Sequence, residues 1–271
     1  MSDKKPLLPV KYDVVFRMFF ADERDTESLT GFLKSVLKLP EEEYGEIEIA
    51  DPHLLQEFNE DKLAIIDIKL HTKSRKVIHI EIQLKVTEEL KNRIMYYGAK
   101  LITEQIGESG KYRDINKVIS IVITDEILIK ESPKYYHRFI HCEPETGIVL
   151  SDLFETHTIE LKKLPVNADG TNLCDWAKFI AAETEEELDM LAERNPEIGR
   201  AVVKLRKMSA DEKARDLYER RINAKRDIAM YVYDGEKQGR VSVARNALKK
   251  NMPISDIADI TGLPLEEIEL L

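Results

Sequence analysis

Polar side chains with the spacing of a metal site fall on two adjacent predicted strands. Residues 63–85 read LAIIDIKLHTKSRKVIHIEIQLK, two alternating β-branched runs on either side of a turn-like TKSR. In a hairpin centred on Ser74, Asp67 lies opposite Glu81, and Gln83 follows two residues later on the same face. Directly opposed carboxylates repel each other. A chain that keeps both beside an apolar ladder is therefore expected to hold a cation between them.

The same register predicts the other pairs of the hairpin. It pairs Ile66 with Ile82, Ile68 with Ile80, Leu70 with Ile78, and Lys69 with His79. One face of the hairpin is then wholly apolar, as expected of a strand pair that covers a hydrophobic core. The alternative is an ordinary amphipathic hairpin whose polar face is exposed to solvent. The hairpin alone does not distinguish this interpretation from a metal site.

Composition limits the class of protein. The chain has 271 residues, 43% hydrophobic and 34% charged, which indicates one sizeable globular core with a smaller helical appendage. The net charge of −10 argues against a protein that coats nucleic acid, but it does not exclude a nuclease. Residues 198–250 carry 15 Lys and Arg against seven acids. This segment is either a phosphate-binding surface or a solvated helix face with mixed ion pairs.

The sequence lacks a membrane span, a signal peptide and a cysteine metal motif, and these features predict its location and the state of its cysteines. No apolar run reaches the length of a membrane span, and the first residues, MSDKKPLLPVK, lack the apolar region of a signal peptide. We therefore expect a cytoplasmic protein without a membrane partner. Cys142 and Cys174 do not have metal-site spacing and are expected to be reduced and structural.

The order of predicted elements indicates an α/β fold with a mixed central sheet flanked by helices. Helices are predicted at 12–20, 26–37 and 88–108, and strands at 46–50, on both sides of the 72–75 turn, at 117–124 and in short pieces over 136–161. A loop at 165–171 suggests a boundary between a core, residues 1–165, and an all-helical C-terminal region, residues 172–271.

Five helices and a short tail are predicted in the C-terminal region. The helices fall at 173–182, 185–194, 196–208, 210–235 and 241–250, and the tail at 254–270 has the Gly-centred pattern of a small helix-turn-helix. Reading of bases would need basic or amide side chains on the second helix of the tail, but Glu266, Glu267 and Glu269 lie there. The tail is therefore predicted to pack or to bind a partner rather than to read DNA.

Several motifs, in order over roughly residues 8–165, resemble those of the Rpn family of recombination-promoting nucleases, also described as PD-(D/E)XK nuclease family transposases. The matching residues are Lys11, Asp13, Phe16, Arg17, Phe19 and Phe20 in KYDVVFRMFF, then Asp67 and Ile68, then Ile80, Glu81, Ile82 and Gln83, then Arg93, Tyr96 and Tyr97, and finally Gly110 and Tyr112. The ITGLPLEEIELL ending is similar to the variable helical tails of that family.

The resemblance implies a restriction-endonuclease-like PD-(D/E)XK core and a metal-dependent endodeoxyribonuclease associated with recombination or mobile elements. Asp67, Glu81 and the backbone carbonyl of Ile82 would hold Mg²⁺, with Mn²⁺ as an alternative ion, and DNA would be the substrate. The metal would act as a Lewis acid and lower the pKa of a bound water for attack on phosphorus. Oxygen ligands of this kind are those that Mg²⁺ prefers.

The sequence departs from the usual superfamily pattern at Gln83, which stands where a lysine is expected. Glutamine can hydrogen-bond a water but supplies no positive charge, so catalysis is either slower or uses a neighbouring cation. Lys69 lies on the same predicted face and is the favoured substitute. Lys85 is the second choice.

Four further residues are candidates around the site. Asp13 either completes the metal shell from the first helix or is an ordinary helix acid. Arg93 is either a phosphate clamp or half of a structural ion pair, and Lys11 is a candidate for substrate binding. His79 is on the active face and is expected to be satisfied and non-catalytic.

Two other hypotheses belong to different classes of protein. In the first, a catalytically weak or inactive nuclease fold binds DNA or a partner through its helical tail, as the loss of lysine at position 83 would suggest. In the second, the helical tail makes the chain a homo-oligomer. Both stay open from the sequence.

Overall fold

The computed structural model describes residues 6–51, 67–107 and 110–271. Six strands form one sheet. They are β1 Glu48–Ala50, β2 Ile68–His71, β3 Val77–Gln83, β4 Val118–Thr124, β5 Tyr136–Cys142 and β6 Val149–Glu160. Among the residues described before β4, three segments are α-helical: α1 Asp13–Phe20, α2 Glu27–Val36 and α3 Leu90–Thr103.

Six helices follow the sheet in the chain. They are α4 Asn172–Ala181, α5 Glu185–Arg194, α6 Pro196–Ala210, α7 Glu212–Lys249, α8 Ile254–Thr261 and α9 Leu265–Glu269. The predicted helices at 210–235 and 241–250 are wrong as separate elements, because α7 runs through both. Gly235 and Gly239 lie at and after the predicted end of the first of these helices. Both are exposed and cost a helix only about 1 kcal/mol each, so the helix continues.

The strand order in the sheet is β1-β2-β3-β4-β6-β5. The β1, β2 and β3 strands are antiparallel neighbours, β3, β4 and β6 run parallel, and β5 closes the far edge antiparallel to β6. The expected mixed sheet with flanking helices is therefore confirmed. Parallel neighbours place the ends of β3 and β4 at the same edge of the sheet, which positions the residues that follow them close together.

The register of the β2–β3 hairpin is the one predicted from alternation. Ile68 pairs with Ile80 and Lys69 with His79. Continued by one residue, this register places Asp67 opposite Glu81. Ile66, the predicted partner of Ile82, lies outside the described residues.

A carboxylate from a neighbouring turn fixes the end of this hairpin. Glu43, in the 3₁₀ turn Glu41–Tyr44, accepts hydrogen bonds from Thr72 Oγ1 at 2.6 Å, Ser74 Oγ at 2.7 Å and Lys76 Nζ at 2.6 Å. Arg75 completes the turn with a positive φ of 64°. The connection therefore has one preferred conformation, which supports a single register of the strands.

One face of the sheet forms the main hydrophobic core. Ile80 of β3, Ile121 of β4 and Ile159 of β6 point to this face, where α1, α2 and α4 pack. Trp176 of α4 lies at the centre of an aromatic group and is 1% exposed. Its aromatic neighbours are Phe20, Phe32 and Phe179. A Cβ on Gly31 would come within 2.8 Å of the indole, so α2 approaches Trp176 this closely only because residue 31 is glycine.

The opposite face of the sheet is covered by α3. Leu101 of α3 packs with Val77, Val118 and Phe154, and Leu90 and Ile94 pack with Val122. These contacts lie towards the two ends of the helix. At its middle, a Cβ on Gly98 would lie 2.3 Å from the Phe154 ring, so the helix lies very close to β6. This face also carries the polar residues of β3, so α3 covers the candidate site.

The chain forms two compact units, one up to Arg215 and the other Asp216–Leu271. The helices α4, α5 and α6 contribute buried residues to the same core as the sheet. The second unit has its own small core around Ala244, Ile257 and Ile268. The division predicted from the sequence, a core to residue 165 and a helical region from 172, stays a prediction. In the described parts of the chain, no helix has the length and apolar character needed to span a bilayer.

Candidate metal and phosphodiester site

Asp67 lies immediately before β2 and closes the end of the hairpin with its side chain. Its Oδ2 accepts the backbone N–H of Ile82 at 2.7 Å. The N–H of Ile82 is therefore bonded to this side chain, just before β2 begins. The bond holds the Asp67 side chain against β3, beside Glu81.

Glu81 is a buried carboxylate, with 6% of the residue exposed. Its Oε1 accepts a hydrogen bond from Gln83 Nε2 at 2.8 Å and lies 3.4 Å from Arg93. Its Oε2 is buried and has no hydrogen-bond partner among the described residues. Burial, with a further contribution from the neighbouring Asp67, raises the pKa of Glu81 well above its usual range.

The donor set around Glu81 fits a hard divalent cation. In a β-strand the N–H and C=O of one residue point to the same edge, so the Ile82 carbonyl faces the side on which Asp67 lies. The carboxylate of Asp67, the unpartnered Oε2 of Glu81 and this carbonyl are all oxygen donors, as Mg²⁺ or Mn²⁺ prefers. A cation here would also offset the repulsion between the two carboxylates, which no neutral ligand would do.

Gln83 is the last residue of β3 and uses its side-chain amide to orient Glu81. The amide thus supports the carboxylate but adds no charge to the site. The cation in direct contact with Glu81 is Arg93, whose side chain is 38% exposed. Arg93 therefore makes the predicted ion pair, with a site carboxylate, and it also keeps an exposed surface. Its part as a phosphate clamp stays a prediction.

Tyr97 joins the site one helical turn after Arg93. The Arg93 guanidinium lies over the Tyr97 ring at 5.9 Å from its centroid. Burial, with the nearby Glu81, raises the pKa of the Tyr97 phenol. The i,i+4 spacing of Arg93 and Tyr97 is a signal in the sequence from which this contact could have been predicted.

Lys11 lies near the end of β3, although its charge is compensated. Its Nζ is 3.4 Å from Asp125 and 2.6 Å from Glu183. The N–H of Asp125 donates to the carbonyl of Gln83 at 3.0 Å, which connects this ion pair to the edge of the site. Burial lowers the pKa of Lys11, but the two carboxylates outweigh this effect and raise it. Its part in substrate binding stays a prediction.

The two lysines considered as substitutes at position 83 differ in their surroundings. Lys69 forms an ion pair with Glu104 at the end of α3, at 2.9 Å, and both side chains are largely buried. Lys85 is exposed after the end of β3. A catalytic part for Lys69 stays a prediction, and a phosphate would have to compete with Glu104 for its ammonium group.

Asp13 begins α1, and its Oδ1 accepts the N–H of Val14 at 2.9 Å. Within residues 6–51, 67–107 and 110–271, no three His, Cys, Asp or Glu side chains form a cluster that could hold a metal ion. The structure therefore does not bring Asp13 together with Asp67 and Glu81 in such a cluster. A ligand role for Asp13 stays a prediction.

His79 lies on the same face as Glu81 and is fully buried beneath α3. Its Nδ1 is 3.2 Å from Ser120 Oγ, while Nε2 has no hydrogen-bond partner in the described structure, so the expectation of a satisfied ring is wrong for Nε2. Burial lowers the pKa of His79 to about 4, so the ring is neutral at physiological pH. Neutral and buried, it is placed as part of the packing beneath the site, and its predicted lack of a catalytic role stays a prediction.

Comparison with known proteins identifies the family. A family model described as PD-(D/E)XK nuclease family transposase matches residues 10–235, which include every candidate residue of the site. Searches of curated proteins and of solved structures found no match. The match covers most of the chain and agrees with the motifs and with the sheet that carries them, so the chain belongs to the PD-(D/E)XK nuclease family transposases.

Proposed function

We propose that the chain is an endonuclease that hydrolyses DNA phosphodiester bonds with a divalent metal, Mg²⁺ or Mn²⁺, held by Asp67, Glu81 and the carbonyl of Ile82. The observation that carries this proposal is the buried Oε2 of Glu81, which has no hydrogen-bond partner in the described structure and lies beside a second carboxylate. A buried carboxylate oxygen that accepts no hydrogen bond is costly, and a bound metal would satisfy it. Family membership supports nuclease activity and a link to transposition.

The residues of the chain have separate tasks in this mechanism. When bound, the metal would polarise the scissile phosphate and make water a stronger nucleophile. The amide of Gln83 holds Glu81 in one orientation through Oε1 and leaves Oε2 for the metal. Arg93, beside the same carboxylate and partly exposed, would bind a non-bridging phosphate oxygen and offset the charge that develops on it.

A metal titration of plasmid cleavage tests the proposal. We expect purified protein to nick supercoiled DNA with Mg²⁺ or Mn²⁺ and not with EDTA. The isosteric variants Asp67→Asn and Glu81→Gln should cleave about a hundredfold or more slowly, because a metal ligand supplies several kcal/mol of charge stabilisation. Glu131→Gln is a matched control, since it removes a carboxylate exposed to solvent.

Calorimetric titration with Mn²⁺ separates metal binding from turnover. The wild type and Glu131→Gln should bind the ion alike, whereas Asp67→Asn and Glu81→Gln should bind it weakly. Absence of cleavage with either metal, or equal cleavage by all four proteins, would contradict the proposal.

Gln83 favours one second candidate function, a nuclease fold that binds DNA without cutting it. The amide of Gln83 is used by Glu81, so the charge that lysine usually supplies is missing at this position. If the protein only binds DNA, the wild type and the Asp67→Asn variant should retain duplex DNA equally well in EDTA. Retention should be lost when residues 216–271, the second compact unit, are removed.

Two further properties belong to the proposal. We infer a cytoplasmic location, which fractionation of the tagged full-length chain would test. We also infer self-association through the helical C-terminal region. Light scattering of the full chain and of a chain ending at Arg215 should then give different subunit numbers, and equal numbers would contradict the inference.

A further inference from the structure

A polar cavity, apart from the candidate metal site, lies between the end of α2 and the strands β5 and β6. It has a volume of about 370 Å³. Its charged and polar lining residues are Lys38, Lys117, Tyr136, Arg138, Glu155 and His157. This size is at the lower end of the range for small-ligand pockets, about 300–1,000 Å³.

The cavity is on the opposite face of the sheet from Glu81. Glu155 and His157 of β6 pair with Ile119 and Ile121 of β4, which point into the main core. Glu81 instead pairs with Val122, which points to α3. Because alternate residues of a strand point to opposite faces, the cavity and the metal site are separate sites.

The buried carboxylate of Glu155 organises the basic side chains of the cavity. Its Oε2 accepts a hydrogen bond from Arg138 Nε at 3.0 Å and lies 3.2 Å from Lys117 Nζ, while His157 Nε2 is 3.3 Å from Oε1. Tyr136 holds the other ring nitrogen of this histidine at 2.8 Å. Burial alone would raise the pKa of Glu155, but contacts with His157, Arg138 and Lys117 lower it to about 2. Glu155 is therefore ionised and fixes the positions of the cations.

The positive charges of the cavity exceed what Glu155 compensates. Three cationic side chains, Lys38, Lys117 and Arg138, face one carboxylate, which leaves two positive charges without a partner within the cavity. Lys38 is exposed at the rim and forms no ion pair with any carboxylate that the structure describes. The side chain of Arg138 is 50% exposed, so its guanidinium is open to a ligand.

We propose that this cavity binds a phosphate group, from either a free nucleotide or a nucleic-acid backbone. A phosphate monoester, as in a free nucleotide, carries about 1.5 to 2 negative charges at neutral pH, which matches the two uncompensated positive charges. Two successive phosphodiesters of a backbone, with about one charge each, would match them equally. A single carboxylate would match only one. Arginine and lysine together provide a planar fork and a point charge for phosphate oxygens. The apolar side chains of Val36 and Leu39 line the remaining wall, where the sugar or base of a nucleotide would lie.

Calorimetry with inorganic phosphate and with AMP, and retention of a short DNA duplex in EDTA, test the proposal on the full chain. Lys38→Gln should weaken binding about tenfold, because one charge-assisted contact is lost. Arg138→Gln should weaken it more. Lys213→Gln is the matched control, since it removes an exposed lysine from another surface. Asp67→Asn, at the metal site, should bind these probes like the wild type.

The outcomes identify the source of the phosphate. A free-nucleotide site would be supported if the two cavity variants, but not Lys213→Gln or Asp67→Asn, bind phosphate and AMP more weakly than the wild type. Unchanged binding of these small anions, with weaker DNA retention by the same variants alone, would support a backbone contact. If neither cavity variant differs from Lys213→Gln with any probe, or if Asp67→Asn abolishes phosphate and AMP binding, the proposal is overturned. If Arg138→Gln loses its cooperative thermal transition, Lys38→Gln alone decides, because Lys38 is exposed and forms no ion pair within the described structure.

Discussion

Gln83 orients a carboxylate at the position where the superfamily usually has a catalytic cation. Its amide donates to Glu81 Oε1 at 2.8 Å, and the charge nearest to that oxygen comes from Arg93 on α3. Charge and orientation, which one lysine could supply together, are thus divided between two residues on two elements. A substitution at position 83 can therefore test each contribution.

We expect Gln83→Lys to cleave DNA about tenfold faster than the wild type, because an added ammonium group would stabilise the charge that develops on the phosphate. Gln83→Ala, which removes the hydrogen bond to Glu81, should be slower than the wild type. Initial rates of plasmid nicking at saturating Mg²⁺ measure both effects. A Gln83→Lys protein as slow as Gln83→Ala would show that the amide itself is required.

The positions of site residues that follow from the alternation of side chains along a strand could be predicted. Contacts between residues far apart in the sequence could not. Period-two spacing and a short turn place Asp67 opposite Glu81 without further information. The ion pair between Lys69 and Glu104 and that between Lys11 and Asp125 join residues 35 and 114 positions apart. No local pattern indicates such pairs, because they depend on how the elements pack.

At the scale of elements, the turn of the β2–β3 hairpin is held by an external carboxylate. Burial alone would raise the pKa of Glu43, but hydrogen bonds from Lys76, Thr72 and Ser74 outweigh it and lower this pKa to about 2, from an ordinary value of 4.5. A carboxylate with a lowered folded-state pKa stabilises the fold above its unfolded pKa. This contribution is lost as the pH falls towards the folded-state value.

We therefore expect Glu43→Gln to lower the free energy of unfolding at pH 7 by about 1–3 kcal/mol, the usual cost of losing charged hydrogen bonds. The difference from the wild type should be complete above pH 5 and should shrink as the pH falls from about 4.5 to about 2. Urea unfolding at several pH values measures it. Glu41→Gln, on an exposed residue of the same turn, is the control, and a difference independent of pH would contradict the assignment.

The position of α3 over the sheet depends on one glycine. A Cβ on Gly98 would lie between 2.3 and 3.1 Å from three atoms of the Phe154 ring, which is packed between the helix and β6. Gly98→Ala should destabilise the protein by about 1–3 kcal/mol, the usual cost of overpacking. It should also reduce cleavage, because Arg93 is carried by the same helix.

Thermal unfolding and plasmid nicking check this expectation on the same preparations. The control is Gly107→Ala, since no atom lies within 4 Å of a Cβ at that position. An unchanged melting temperature for Gly98→Ala would mean that the helix and the ring can separate without cost.

The kinds of elements could largely be predicted, while their ends and continuity could not. The buried strand β4 was clear from its apolar β-branched run, KVISIVIT. The single helix α7 was predicted as two separate helices. A helix exposed on most sides shows little apolar periodicity, so the usual signal of continuity is weak.

At the scale of the whole molecule, the main core extends well beyond the predicted boundary at residue 165. Trp176, Phe179 and Ile198, from α4 and α6, are fully or almost fully buried in the same cluster as the sheet. The compact unit that contains them ends at Arg215. Folding of the sheet therefore depends on helices that follow it in the chain.

We expect a chain that ends at Arg215 to fold cooperatively and a chain that ends at Gly170 to lose its cooperative transition. Removal of α4 to α6 exposes the core face of the sheet, at a cost of several kcal/mol for the large aromatic side chains alone. Circular dichroism during urea unfolding distinguishes the two shortened chains. A cooperative transition in the shorter one would show that the sheet and its first three helices form a sufficient core.

The burial of Trp176 has a practical consequence for spectroscopy. It is the one tryptophan of the chain, and its indole is packed among phenylalanines in the first compact unit. The second unit contains tyrosines but no tryptophan. Emission excited at the red edge of protein absorption therefore reports on the first unit alone, while tyrosine emission also includes the second unit. Loss of structure in one unit can thus be followed without a label and separately from the other.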